Sequence, residues 1–141
     1  MWGEAIIGEQ MLEYHLLPKL YSFAERCWAE KPVWEEMSSG TQREKLVEKE
    51  WNSFINTVSQ QEIPKLNYLF DGFNYRIPPP GAKIEDSLLY ANSQYPGLPI
   101  YYSTDGNIPD ENSKRYEKPV KINSNCKLIS IDKSGRKSRV V

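Results

Sequence analysis

Apolar positions along this chain follow two periods, and the change between them divides it. Over residues 9–30 they recur three and four apart, at Met11, Leu12, Leu16, Leu20, Phe23, Cys27 and Trp28 among others. That spacing predicts a helix with a wide apolar stripe on one face. Pro18 falls inside it and should kink it or remove one hydrogen bond, and Pro32 marks its end. A second helix is expected from about Thr41 to Ser59, with Ser39-Gly40-Thr41 supplying the cap. Its buried stripe is Leu46, Val47, Trp51, Phe54, Ile55 and Val58, and Glu44, Lys45, Glu48 and Lys49 form the wet side. A shorter helical turn is expected over 62–70, with Pro64 tolerated in its first turn.

Near residues 71–76 the period becomes two. Tyr75-Arg76-Ile77-Pro78-Pro79-Pro80-Gly81 must be extended, because each proline turns the preceding residue away from helix. Short alternating runs come next at Ala82–Tyr90, Leu98–Ser103, Tyr116–Ile122, Lys127–Asp132 and Arg136–Val141, separated by turn residues such as Thr104-Asp105-Gly106-Asn107 and Lys133-Ser134-Gly135. This is the pattern of a small antiparallel β-sandwich. The expected organisation is α+β, with a helical segment over residues 1–72 and a β-sandwich module over 73–141.

Composition narrows the function classes. At 39% hydrophobic and 26% charged, the 141 residues are suited to a packed core. The net charge of −1 gives no general attraction to nucleic acid or anionic membrane, and no nucleic-acid partner is expected. The charge is unevenly placed: nine Lys/Arg stand in residues 114–141 against only Glu117 and Asp132, a pattern usual for a solvated strand surface. Cys27 and Cys126 fall in different parts of the chain without CxxC spacing, so zinc or thioredoxin-like chemistry is not expected. No apolar run reaches the length of a membrane span, and the opening residues do not have the form of a signal peptide.

The candidate chemistry lies at the start. Trp2-Gly3-Glu4 is followed by Glu13-Tyr14-His15-Leu16-Leu17-Pro18-Lys19-Leu20 and then by Ala24-Glu25-Arg26-Cys27-Trp28. This order resembles the last strand and helix of the (β/α)₈ barrel in family 20 glycoside hydrolases, the β-N-acetylhexosaminidases. Tyr75-Arg76-Ile77-Pro78 resembles the point where bacterial members leave the barrel, and Pro99 through Gly106, with Pro109, Ser113 and Tyr116, resembles their appended C-terminal β module. The resemblance implies that the chain is the C-terminal part of a larger enzyme releasing terminal N-acetylhexosamine from glycans by a substrate-assisted retaining mechanism, in a periplasmic or secreted setting. Trp2 would then stack on the cleaved sugar and Glu4 would bind its hydroxyls. The residue types fit that chemistry. A tryptophan presents a flat apolar face, and a carboxylate two positions along a strand points to the same side.

The family's adjacent Asp-Glu pair, which supports the acetamido nucleophile and protonates the leaving oxygen, belongs to an earlier strand. The one Asp-Glu step here, Asp110-Glu111, lies in a turn region of the β module and is not expected to be catalytic; Glu85-Asp86 and Glu35-Glu36 are expected to be solvated surface pairs. The chain alone is therefore expected to be inactive, with no catalytic residue, no metal and no cofactor. His15 is the single histidine, which argues against a triad or a histidine metal site. Asp105, Asn107 and Asp110 could hold calcium, but turn conformation explains them. Tyr95, Tyr101 and Tyr102 with Trp34 could form a sugar platform, but packing explains them better. The competing reading is a complete helical and β-sandwich module that binds or scaffolds, its carbohydrate contacts carried by those tyrosines. The two readings differ in solution. A severed barrel unit should expose its apolar helix face and self-associate, whereas a complete module should not.

Overall fold

The computed structural model describes residues 5–122 and 125–141, which divide into two compact units, Met1–Tyr75 and Arg76–Val141. In the first unit the expected 9–30 helix is two helices, α1 (Glu9–Leu16) and α2 (Leu20–Trp28). Pro18 is the reason. It drives Leu17 to φ −95°, ψ 139°, an extended conformation that ends α1, and its own ring is buried in the turn. A 3₁₀ turn, Val33–Glu35, then leads toward α3 (Thr41–Thr57). It is fastened there by Trp34. The indole Nε1–H donates to Glu50, and Arg43 lies 5.5 Å from the ring while donating its Nε–H to the Trp34 carbonyl. The cap of α3 falls within the expected Ser39-Gly40-Thr41 step, at Gly40, and no side chain bonds to the helix N-terminus.

The second helix also runs on further than its sequence suggests. Beyond Thr57 it continues as a π-helical turn, Val58–Glu62, into the short α4 (Ile63–Lys65). The wider turn has a packing consequence. Ile55, Val58, Ile63 and Leu66 are the buried apolar residues, and the interval from Val58 to Ile63 is five rather than four. One extra residue in the π turn keeps Ile63 on the face that Val58 occupies, while Gln60 and Gln61 stay in water. The expected wet residues Glu44, Lys45, Glu48 and Lys49 are exposed, but so is Trp51, a member of the expected buried stripe. Past α4 the chain reverses through Phe70, Asp71 and Gly72, all with positive φ. A side chain on Gly72 would stand 3.0 Å from the Asn67 carbonyl oxygen, so only glycine fits there.

The second unit holds two three-stranded antiparallel sheets. One has the order β1 (Gly81–Glu85), β2 (Leu88–Asn92), β5 (Val120–Lys121); the other is β4 (Lys114–Arg115), β3 (Ile100–Ser103), β6 (Lys127–Ser130). The run expected as one strand over 82–90 is a hairpin. Asp86 and Ser87 take left-handed conformations (φ 50° and 63°), so Glu85 pairs with Leu88 across a two-residue turn. The expected 116–122 strand is reduced to Val120–Lys121, and β4 lies outside the runs expected as strands. Residues 136–141 return along β6, with Ser138 N–H bonding the Ser130 carbonyl and Leu128 and Val141 exchanging backbone bonds.

Both sheets contribute to one core. Leu89 and Val120 come from the first sheet, Ile100, Tyr102 and Leu128 from the second, and Ile122 completes the cluster. Tyr116 bolts the sheets together. Its backbone N–H donates to Ile100, while its hydroxyl accepts from the Ala91 N–H and donates to the Leu89 carbonyl on β2. Tyr95 is buried, and the loss of solvation pushes its phenol up to about 12. A folded-state pKa above the unfolded value near 10 means the native state holds its proton longer, so stability is full below pH ~10 and falls as pH rises toward about 12. Tyr95→Phe is expected to flatten that alkaline loss in urea melts run from pH 9 upward. A wild-type midpoint that does not change over that range would contradict it.

Candidate functional site

Trp2 and Glu4, the residues singled out for sugar contact, lie outside the described residues. Just after them, Ala5 and Ile6 open an apolar cavity of about 670 Å³ that continues along Leu16, Leu20 and Phe23 and takes His15 at one side. His15 meets the Tyr14 ring edge-on, with centroids 5.9 Å apart, an aromatic contact rather than a catalytic or metal-binding arrangement. The cavity follows the amphipathic pattern of the sequence, since Leu16, Leu20 and Phe23 fall at intervals of four and three.

The stripe that predicts these helices is only partly covered, with Leu16, Tyr21 and Ala24 half-buried. Neither α1 nor α2 holds a single buried side chain. Phe23 is 64% exposed and Trp28 82%. Their opposite connections are specific. Glu13 on α1 accepts the Asn74 backbone N–H at 2.7 Å, and the Asn74 amide reaches the Gln10 carbonyl at 3.0 Å. From α2, the Tyr21 hydroxyl donates to the carbonyl of Glu62 at the end of the π turn, and burial with the nearby Glu62 carboxylate raises its pKa. On α2, Tyr21, Ala24 and Trp28 line a cleft with Phe54 and Val58, whereas Leu20 and Phe23 are left exposed. Sequence reasoning found the stripe but not the π turn, which has no signature in a run such as Val58-Ser59-Gln60-Gln61-Glu62.

The carboxylates of the β unit have other work. Asp110 accepts the Asn112 N–H and the Ser113 hydroxyl through Oδ1, and these bonds hold its pKa below the usual carboxylate range. A general acid needs the reverse shift. Asp105 is likewise held down by the backbone N–H and side-chain amide of Asn107. Both are turn-forming carboxylates, and no group of three or more potential metal ligands occurs among the described residues. Members of the suggested sugar platform have packing roles within their own units. Tyr95 is buried, Tyr102 packs against the core, and Trp34 is engaged by Glu50 and Arg43.

Comparison with known proteins bears on this arrangement. Residues 62–140 match the model of the chitobiase/β-hexosaminidase C-terminal domain. The matched stretch begins in the π turn, so it takes in α4, the left-handed turn and both sheets. The chain is 36% identical over 115 residues to N,N'-diacetylchitobiase of Vibrio harveyi, covering 75% of this chain and 13% of that protein. To a β-hexosaminidase of Vibrio vulnificus it is 27% identical over 159 aligned positions, covering the whole chain and 18% of the relative. It thus spans less than a fifth of the length of these relatives. The α+β order, the two antiparallel sheets and the matched residues agree: the chain belongs to the chitobiase/β-hexosaminidase family, within the family 20 glycoside hydrolases, through the C-terminal domain of those proteins.

Proposed function

We propose that this chain is the C-terminal portion of a β-N-acetylhexosaminidase: α1 and α2 complete a (β/α)₈ barrel, and the two-sheet unit is the module appended to it. In the whole enzyme Trp2 would form part of the wall that stacks on the terminal N-acetylhexosamine, and Glu4 would accept hydrogen bonds from its hydroxyls. The glycan would be cleaved by the substrate's own acetamido group, with an Asp-Glu pair contributed by another part of the enzyme. The observation that carries this reading is the open apolar face of α1 and α2 in a chain of this family. A last barrel helix buries such a stripe against strands that precede it.

On this reading the chain by itself has no proton donor for the leaving group. Glu111 is the one glutamate that follows an aspartate, and its neighbour Asp110 is held charged in a turn. Incubation with an aryl N-acetylglucosaminide is expected to give no release of the phenol above a buffer blank. Turnover would refute the assignment of the catalytic pair to another part of the enzyme. Binding of chitobiose by isothermal titration to the isolated chain would favour the alternative, a self-sufficient carbohydrate-binding module.

A further inference from the structure

A second surface of the molecule has no role in that reading. The Arg76–Val141 unit carries eleven Lys/Arg against seven Asp/Glu, while the Met1–Tyr75 unit is acidic. The basic residues are densest in the hairpin that follows β6. Ile131 bridges Lys137, and between them Gly135 takes φ 83° to close the turn. Within this short loop and the segment after it stand Lys133, Arg136, Lys137 and Arg139. Lys133, Lys137 and Arg139 are exposed, and none of the three forms an ion pair among the described residues. The nearest acid in sequence is committed elsewhere: the Asp132 Oδ1 accepts from the Ser134 N–H, the Ser134 hydroxyl and the Arg136 N–H. The hairpin is thus closed by its one carboxylate and presents these three cations to solvent.

We propose that this hairpin is a binding site for an acidic polysaccharide, held through the carboxylate or sulfate groups spaced along the polymer. The charge excess supplies attraction to a polyanion. The composition of the segment narrows the kind of polyanion. The segment 132–141 contains no aromatic side chain on which a base could stack, and this unit has no helix among its described residues to enter a duplex groove. The turn tip, Lys133-Ser134-Gly135, carries no apolar anchor for a bilayer. A flexible chain of anionic sugars needs none of these. Such binding is independent of the catalytic reading, since the surface lies wholly in the β unit.

Heparin serves as the probe, with the full chain titrated at ~50 mM and higher NaCl so that the salt dependence is read directly. Lys133→Gln, Lys137→Gln and Arg139→Gln together are expected to weaken binding at least tenfold and to lower the slope of log K against log salt by roughly two to three. Lys19→Gln, Lys45→Gln and Lys49→Gln remove the same charge from exposed positions of the other unit and are expected to leave binding unchanged. Thermal midpoints of both triple variants should match the parent, because all six side chains are exposed. The proposal fails if heparin is not bound at low salt, if the two triple variants lose binding equally, or if oligo(dT) or phosphatidylserine vesicles bind more tightly than heparin.

Discussion

Leu128→Ala is expected to destabilise the β unit by about 2–5 kcal/mol, the usual cost of removing a fully buried leucine side chain. Leu128 is 2% exposed and lies where the two sheets meet, against Leu89, Ile100 and Ile122. Its backbone also exchanges both hydrogen bonds with Val141, so the side chain sits on a strand that is paired on each edge and has little freedom to collapse into the void. A unit of this size commonly has a total stability of only about 3–10 kcal/mol. The loss is therefore comparable with everything that keeps the sheets together. In urea melts followed by tyrosine fluorescence or far-UV dichroism, the midpoint assigned to the β unit should fall sharply. Ile84→Ala is the matched control: Ile84 lies in β1 but is 65% exposed, and its loss should change stability by no more than about 0.5 kcal/mol. Equal effects from the two substitutions would show that the two-sheet core is not where the stability resides.

Particular residues show how far the fold is legible in the sequence. The change of period near residue 71 is visible because apolar spacing reports which faces are buried, and the structure divides at Tyr75. Pro18 and Pro64 announce their local effects through fixed φ and a missing donor. The hairpin at Asp86-Ser87 is not legible, because left-handed turns are usually marked by glycine or asparagine and neither is present. The π turn is hidden for a different reason. The polar run from Ser59 to Glu62 fits an α-helix and a π-helix equally well, and only the position of Ile63 against the core selects the wider turn. Tyr116 stands out for its place in a motif, yet its bond between sheets depends on strand positions that no local pattern encodes. The same limit applies to Asn74, whose partners Gln10 and Glu13 are some sixty residues away in sequence.

Replacing Leu20 with lysine and Phe23 with glutamate is expected to abolish self-association of the isolated chain while leaving its fold intact. Leu20 is 46% exposed and Phe23 64%, and together with Met11, Leu12 and Trp28 they make one half of the chain's amphipathic pattern face water. A full apolar side chain gains about 1.5–3 kcal/mol on burial, so several on one face favour association strongly. Because α2 contains no buried residue, charging Leu20 and Phe23 removes that drive without opening a cavity, and the urea midpoint should stay within about 0.5 kcal/mol of the parent. Light scattering and dye fluorescence over a concentration series read the outcome: rising mass and dye signal for the parent, a constant monomer mass and a dark dye for the variant. If α1 and α2 complete a barrel as proposed, the same double substitution in the whole enzyme should be far more damaging, since two charged groups would then be forced out of water against barrel strands. A parent chain that stays monomeric and dye-silent at high concentration would mean that this face needs no missing neighbour, and the stand-alone module would become the better account.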